Sequence, residues 1–172
     1  MKNIKRFSVI LLWSILGGSL AAGASADARQ DLEHWRFEGL AGTWRVQVTT
    51  YNCKTGVTNP PFASFLTFDA VGTLTGTTAN AVFLPGQRSS DHGVWKRVGG
   101  NYFSATSEAF IQFSTPATSP TPPLVRGVQR IEQGIELTGR DSFHSEATLT
   151  FFDEGGSVVL SGCARASAQR FR

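Results

Sequence analysis

The sequence predicts an all-β fold, an eight-stranded antiparallel up-and-down barrel with a short N-terminal helical turn. Three observations carry that expectation. Val, Ile, Thr and Phe recur in period-two alternation through most of the chain. Gly, Pro, Asp, Asn and Ser punctuate the alternation at short intervals, as turns do. No helical-period segment intervenes between the strands, which excludes a parallel α/β sheet. The 172 residues fit one domain, large enough to bury a core without a dense disulfide or metal framework.

The chain begins with Lys2, Lys5 and Arg6, an apolar stretch over 7–23, and small residues around Ala24, Ala26 and Ala28. Basic, apolar and then A-x-A is the pattern of a secretory signal peptide, so 1–28 is expected to be removed and 29–172 to form the domain. A periplasmic or secreted location follows, with no membrane span in the mature chain. The whole chain has 16 Lys+Arg against 13 Asp+Glu. Without 1–28 the balance is 13 against 12, because the leader holds three basic residues and Asp27. The basic excess belongs to the leader, and the only adjacent cationic pair left is Lys96-Arg97. A nucleic-acid partner is therefore not expected.

Beyond a helical turn at 31–37, the expected strands are 43–52, 62–69, 73–79, 93–98, 101–113, 124–138, 143–152 and 157–170. The connections at 70–72, 99–100 and 139–142 are tight. Those at 53–61, 80–92 and 114–123 are long and rich in Pro, Gly, Ser and Thr, and 153–156 is short. In a meander alternate connections fall at opposite ends, so one end of the barrel is neat and the other elaborated, like a cup with a rim. An internal echo, Leu66-Thr67-Phe68-Asp69 before Gly72 and Leu149-Thr150-Phe151-Phe152-Asp153 before Gly155, suggests one turn grammar used twice.

Two cysteines exclude a zinc ribbon, and His34, His92 and His144 are too dispersed for a multi-His cage, so neither metal nor cofactor is called for. Closure pairs the first strand with the last. If Cys53 faces Cys163, Trp44 faces Arg172 and Val46 faces Arg170. Alternation puts Trp44, Val46 and Val48 on the inner face of the first strand, and Val158, Leu160, Gly162, Ala164, Ala166, Ala168 and Arg170 on that of the last. Both cysteines then lie on outer faces, and an oxidising compartment favours a Cys53–Cys163 bridge.

Gly42-Thr43-Trp44 at the start of the first strand resembles the lipocalin G-x-W motif. The order of leader, short helix, G-x-W, eight strands and a bridge near the mouth is also similar to lipocalins. That resemblance implies a calycin-type barrel in which a basic residue of the last strand, here Arg170, packs across Trp44 and closes the barrel. It also implies a small apolar ligand inside. Allene-oxide-cyclase-like and dirigent-like barrels have a similar length and build, and they would imply a cyclase or isomerase.

Alternation lines the interior with apolar and aromatic residues and a few polar points. The expected ligand-binding set is Phe68, Trp95, Phe103, Ser107, Gln129, Ile131, Phe143 and Phe151. The small residues of the last strand leave space, and an apolar cavity with few polar groups is the usual form of a small-ligand site. Glu108, His144 and Glu146 fall on the outer face. One polar cluster at the mouth, Arg88, Asp91 and His92, is a catalytic candidate: Asp91 would orient His92, and Arg88 would hold an anionic head group. Three readings remain open: a ligand-binding barrel, a cofactor-free cyclase or isomerase using that trio, and an interaction protein whose barrel is filled by its own side chains. Ligand identity and oligomeric state are not set by these patterns.

Overall fold

The computed structural model describes residues 39–112 and 127–172. The expected leader, the helical turn at 31–37 and the 114–123 loop lie outside the described residues. Eight strands follow one another: β1 (Gly42–Tyr51), β2 (Phe62–Phe68), β3 (Thr73–Thr78), β4 (Asp91–Gly99), β5 (Tyr102–Ile111), β6 (Gly127–Gly139), β7 (Ser142–Asp153) and β8 (Val158–Arg170). Each pairs antiparallel with its neighbours, and β1 pairs with β8, so the sheet is a closed up-and-down barrel. Closure leaves no sheet edge with unpaired backbone groups.

The register of the closing seam differs from the sequence expectation. Trp44 faces Arg170, and Tyr51, rather than Cys53, faces Cys163. Cys53 lies just past the end of β1 and reaches Cys163 diagonally, with Cα atoms 5.3 Å apart. The displacement is two residues. Side chains alternate with a period of two, so an even displacement along this seam does not by itself turn any inward residue outward.

The closed end is locked at Trp44. Its indole Nε1 donates to the Leu40 carbonyl at 2.8 Å. The Arg170 guanidinium stacks over the ring at 4.2 Å and donates to the carbonyls of Ala41 at 2.6 Å and Gly39 at 2.9 Å. Gly42 is required beside it, because a Cβ there would lie 2.7 Å from the Arg170 Nη1. Edge-on ring contacts continue the plug from Trp44 to Phe143, from Phe143 to Phe68, and from Phe68 to Trp95. Leu74, Phe103, Ile135 and Ala168 fill the spaces between them. Burying each large apolar side chain is worth roughly 1.5–3 kcal/mol, so the closed end holds most of the hydrophobic stabilisation.

The sequence echo is one turn at two ends of the barrel. Asp69 N–H donates to the Thr73 carbonyl at 2.9 Å, and the Asp69 carboxylate accepts Thr73 N–H at 2.9 Å. Asp153 and Ser157 repeat both bonds, at 3.0 and 2.9 Å. Gly72 and Gly156 take the positive φ that each turn needs, 94° and 80°. At the closed end the Asp69 carbonyl also accepts the Trp95 indole N–H at 3.0 Å, tying turn to plug. The hydrogen bonds of Thr73 hold the Asp69 carboxyl below its usual range.

Two stability outcomes are expected. Replacing both cysteines by serine removes a cross-link of sequence separation 110, and should lower unfolding free energy by about 4–5 kcal/mol in the chain-entropy picture. Urea denaturation of the oxidised wild type against the double variant measures it. Arg170→Met keeps the stem over the indole but loses the charge and the carbonyl partners. A loss of about 2–4 kcal/mol is expected in the same experiment, with Arg170→Lys recovering only part because an ammonium lacks the planar fork.

Candidate functional site

Above the plug the interior is open. A cavity of about 500 Å³ occupies the mouth half of the barrel. Its wall is built by inward positions of all eight strands, β4 contributing only its first residue: Val46 and Val48, Phe62 and Leu66, Thr78, Asp91, Ser107, Ile131 and Gln133, Ala147, Leu149 and Phe151, and Ala164 and Ala166. The alanines and Gly162 of β8 make the room, since their side chains stop short of the axis. The barrel is thus packed at one end and hollow at the other, which departs from an interior filled throughout by its own side chains.

This division sorts the residues expected to bind a ligand. Ser107, Gln129, Ile131 and Phe151 line the cavity. Phe68, Trp95, Phe103 and Phe143 do not; they belong to the packed core of the closed end. All eight point inward, but depth along the axis decides between packing and lining. Val158, expected inward, is exposed, and Leu160 sits at the rim, where the β7–β8 register shifts between Phe151 and Phe152.

The rim is folded rather than loose. The Asn52 side chain accepts the N–H groups of Lys54 and Thr55 at 2.9 and 3.0 Å, and Asn59 N–H donates to the Thr50 carbonyl at 2.9 Å. These bonds fold the β1–β2 connection back over β1, so that Thr55, Val57 and Asn59 edge the opening. On the outer wall Tyr51 Oη donates to Glu146 at 3.0 Å, stepping from β1 across β8 to β7. The Glu146 carboxylate raises the Tyr51 phenol above its usual range.

The cluster of Arg88, Asp91 and His92 is split by the strand. β4 begins at Asp91, two residues earlier than 93. Alternation then sends Asp91 inward with Trp95, and His92 outward to solvent. The expected trio is not assembled, and Asp91 does not orient His92. Arg88, expected at the mouth to hold an anionic head group, is instead buried and already paired with Asp91. Arg88 forms an isolated bridge with Ile111 at the end of β5, and Ser89 N–H donates to the Phe110 carbonyl at 2.9 Å. That short pairing turns the guanidinium into the barrel.

Inside, Arg88 and Asp91 form an ion pair with side chains only 5% and 4% exposed. Arg88 Nε donates to Gln129 Oε1 at 2.6 Å, and Nη1 to the Ser89 carbonyl at 3.2 Å. The Phe83 ring lies 6.0 Å from the guanidinium. Burial pushes the Asp91 carboxyl above its usual range, while Arg88 pulls it down by less. Gly76 makes room for the carboxylate, since a Cβ there would lie 2.9 Å from Asp91 Oδ2. Further along the wall Thr78 Oγ1 is buried without a hydrogen-bond partner. The inward course of Asp91 was legible by counting back from Trp95 through Gly93. That of Arg88 was not, because its direction comes from a contact with β5.

No family model matches the sequence, and no curated protein matches it. Among solved structures, the chain is similar to the S-type phycobiliprotein lyase CPES from Guillardia theta, at 10% identity and a TM-score of 0.42, over 82% of this chain and 93% of that one. It is also similar to a protein of unknown function of the DUF3598 family from Nostoc punctiforme, at 10% identity and a TM-score of 0.38, over 78% of this chain. There it spans about half of the other chain, 49%. Likeness at this level leaves function to be argued from the cavity.

Removing Arg88 strands Asp91 in the wall. Arg88→Met should destabilise the protein by about 3–5 kcal/mol at neutral pH. Asp91 then lies still higher in the folded state than unfolded. Its contribution to stability is present below the unfolded carboxyl range and lost as pH rises through the folded one. The deficit of Arg88→Met should therefore shrink on acidification towards about pH 4, as urea midpoints at both pH values would record.

Proposed function

We propose that this protein is a lipocalin-like barrel, secreted or periplasmic, that binds a small apolar or amphiphilic molecule in its interior. The observation that carries the reading is the cavity of about 500 Å³, a size and an apolar character that suit small-ligand sites. Most of the surface it presents is apolar, with polar side chains such as Ser64, Ser107, Gln129, Gln133 and Ser145 set among the aliphatic and aromatic ones. Gly42, Trp44 and Arg170 support the lipocalin likeness through their shared packing at the closed end. The Cys53–Cys163 bridge supports an oxidising compartment, in line with the basic, apolar and small-residue pattern of 1–28. His92 on the outer face, apart from Arg88 and Asp91, supports the binding reading over a cyclase or isomerase that would use the three together.

The test is a neutral apolar fluorophore. Nile red should bind the oxidised protein with blue-shifted, enhanced emission. Ala147 lies on the cavity wall, between Gln133 and Ala164 of the flanking strands. Ala147→Trp fills the space and should weaken binding at least about tenfold, with circular dichroism unchanged. Equal binding by wild type and Ala147→Trp would place the dye elsewhere and sink the reading.

A further inference from the structure

We propose that the cavity selects uncharged amphiphiles whose head both donates and accepts hydrogen bonds, such as an alcohol or a primary amide, and that the Arg88–Asp91 pair reads that head. The proposal rests on the ligand-binding reading above and names the ligand class for the same cavity.

A lone arginine in an apolar chamber would call for a carboxylate. Here the guanidinium is already matched by Asp91 inside the same wall. A carboxylate brought to this pair would leave the chamber with a net negative charge, and an ammonium with a net positive one. Burying an uncompensated charge is strongly unfavourable, whereas an uncharged polar head adds no charge. The pair still has capacity to bind. A guanidinium carries more N–H donors than its acceptors Gln129, Ser89 and Asp91 use. The Asp91 carboxylate accepts from Arg88 through Oδ1, which leaves Oδ2 as an acceptor on a residue that lines the cavity. A donor and an acceptor thus stand side by side in the cavity wall, the complement of a hydroxyl or a carboxamide.

A second, independent observation comes from Thr78. It faces the cavity from β3, one inward position beyond Gly76, which pairs with Asp91. Its buried hydroxyl has no partner. A buried polar group without one is destabilising, and a polar ligand atom at this height of the wall would relieve it. The surface of the remaining lining is mostly apolar, from residues such as Val46, Val48, Phe62, Ile131, Leu149 and Phe151, so the tail of the ligand is apolar.

The experiment measures displacement of Nile red from the oxidised full-length domain by one alkyl chain with different heads: decanol, its methyl ether, decanamide, decanoate and decylammonium. In wild type, decanol and decanamide should displace the dye at concentrations at least about tenfold below those needed for the methyl ether. A plain apolar cavity gives the opposite order, because the ether is the more apolar molecule. Asp91→Asn removes the neutralising charge and should improve decanoate at least about tenfold relative to decanol. The proposal is overturned if the ether competes as well as decanol in wild type, or if the decanoate-to-decanol ratio is unchanged in Asp91→Asn. The wild-type comparison stands by itself should that variant fail to fold. If neither Nile red nor any of the five compounds binds wild type, the ligand-binding reading falls and the head-group proposal with it. Binding of all five alike overturns the head-group proposal alone.

Discussion

Pairing β1 with β8 brings the two ends of the domain together and gives both strands their only partners on that side. Joining the most distant segments of a chain carries the largest loop-closure entropy in the fold, and unpaired edges would be exposed without it. The seam is reinforced along its length. At the closed end Arg170 lies over Trp44 and holds the carbonyls of Gly39 and Ala41. At the mouth Cys53 and Cys163 fasten the same two strands covalently. Beside the bridge, Tyr51, which faces Cys163, reaches over β8 to Glu146 of β7 on the outside. Charge acts on the junction at one end, and a covalent bond and a hydrogen bond act at the other.

The seam also divides the interior. The indole of Trp44 anchors a ring cluster that fills the closed end, and between it and Leu160 at the rim the inward positions of β8 are small. Ala164, Ala166 and Gly162 stand where larger residues would complete the plug. The cavity is the consequence of small residues on the last strand facing the aliphatic wall of the others. A packed floor supplies stability, so the upper half is free to remain hollow.

Within that hollow the polar groups are placed by very different means. Asp91 is held by the regular alternation of β4 and by the absence of a side chain at Gly76. Arg88 is held by a two-sided contact, a short bridge to β5 on one flank and Gln129 of β6 on the other. The pair is neutral as a unit, and this sets the chemistry of the cavity more than either charge does. On the outer face His92, expected to be part of the same cluster, meets solvent.

Taken alone, the sequence determined the strands, their antiparallel order, the tight and elaborated ends, and which face of each strand points inward up to the shifted start of β8 at Val158. These are local properties: a period of two and turn residues need only near neighbours to be expressed. The faces survived even the seam register, since the displacement from Trp44–Arg172 to Trp44–Arg170 was even. The sequence alone also paired Cys53 with Cys163, because only one partner exists for each. Tertiary structure decided what depends on depth. Phe68, Trp95, Phe103 and Phe143 point inward like Ile131 and Phe151, yet the first four form the plug and the other two line the cavity. The stagger of strands around a closed barrel sets that height, and no single strand encodes it. The direction of Arg88 was decided the same way, by a bridge to a strand more than twenty residues away in sequence. A connecting segment has no alternation of its own, so its side chains take their direction from the partner it meets.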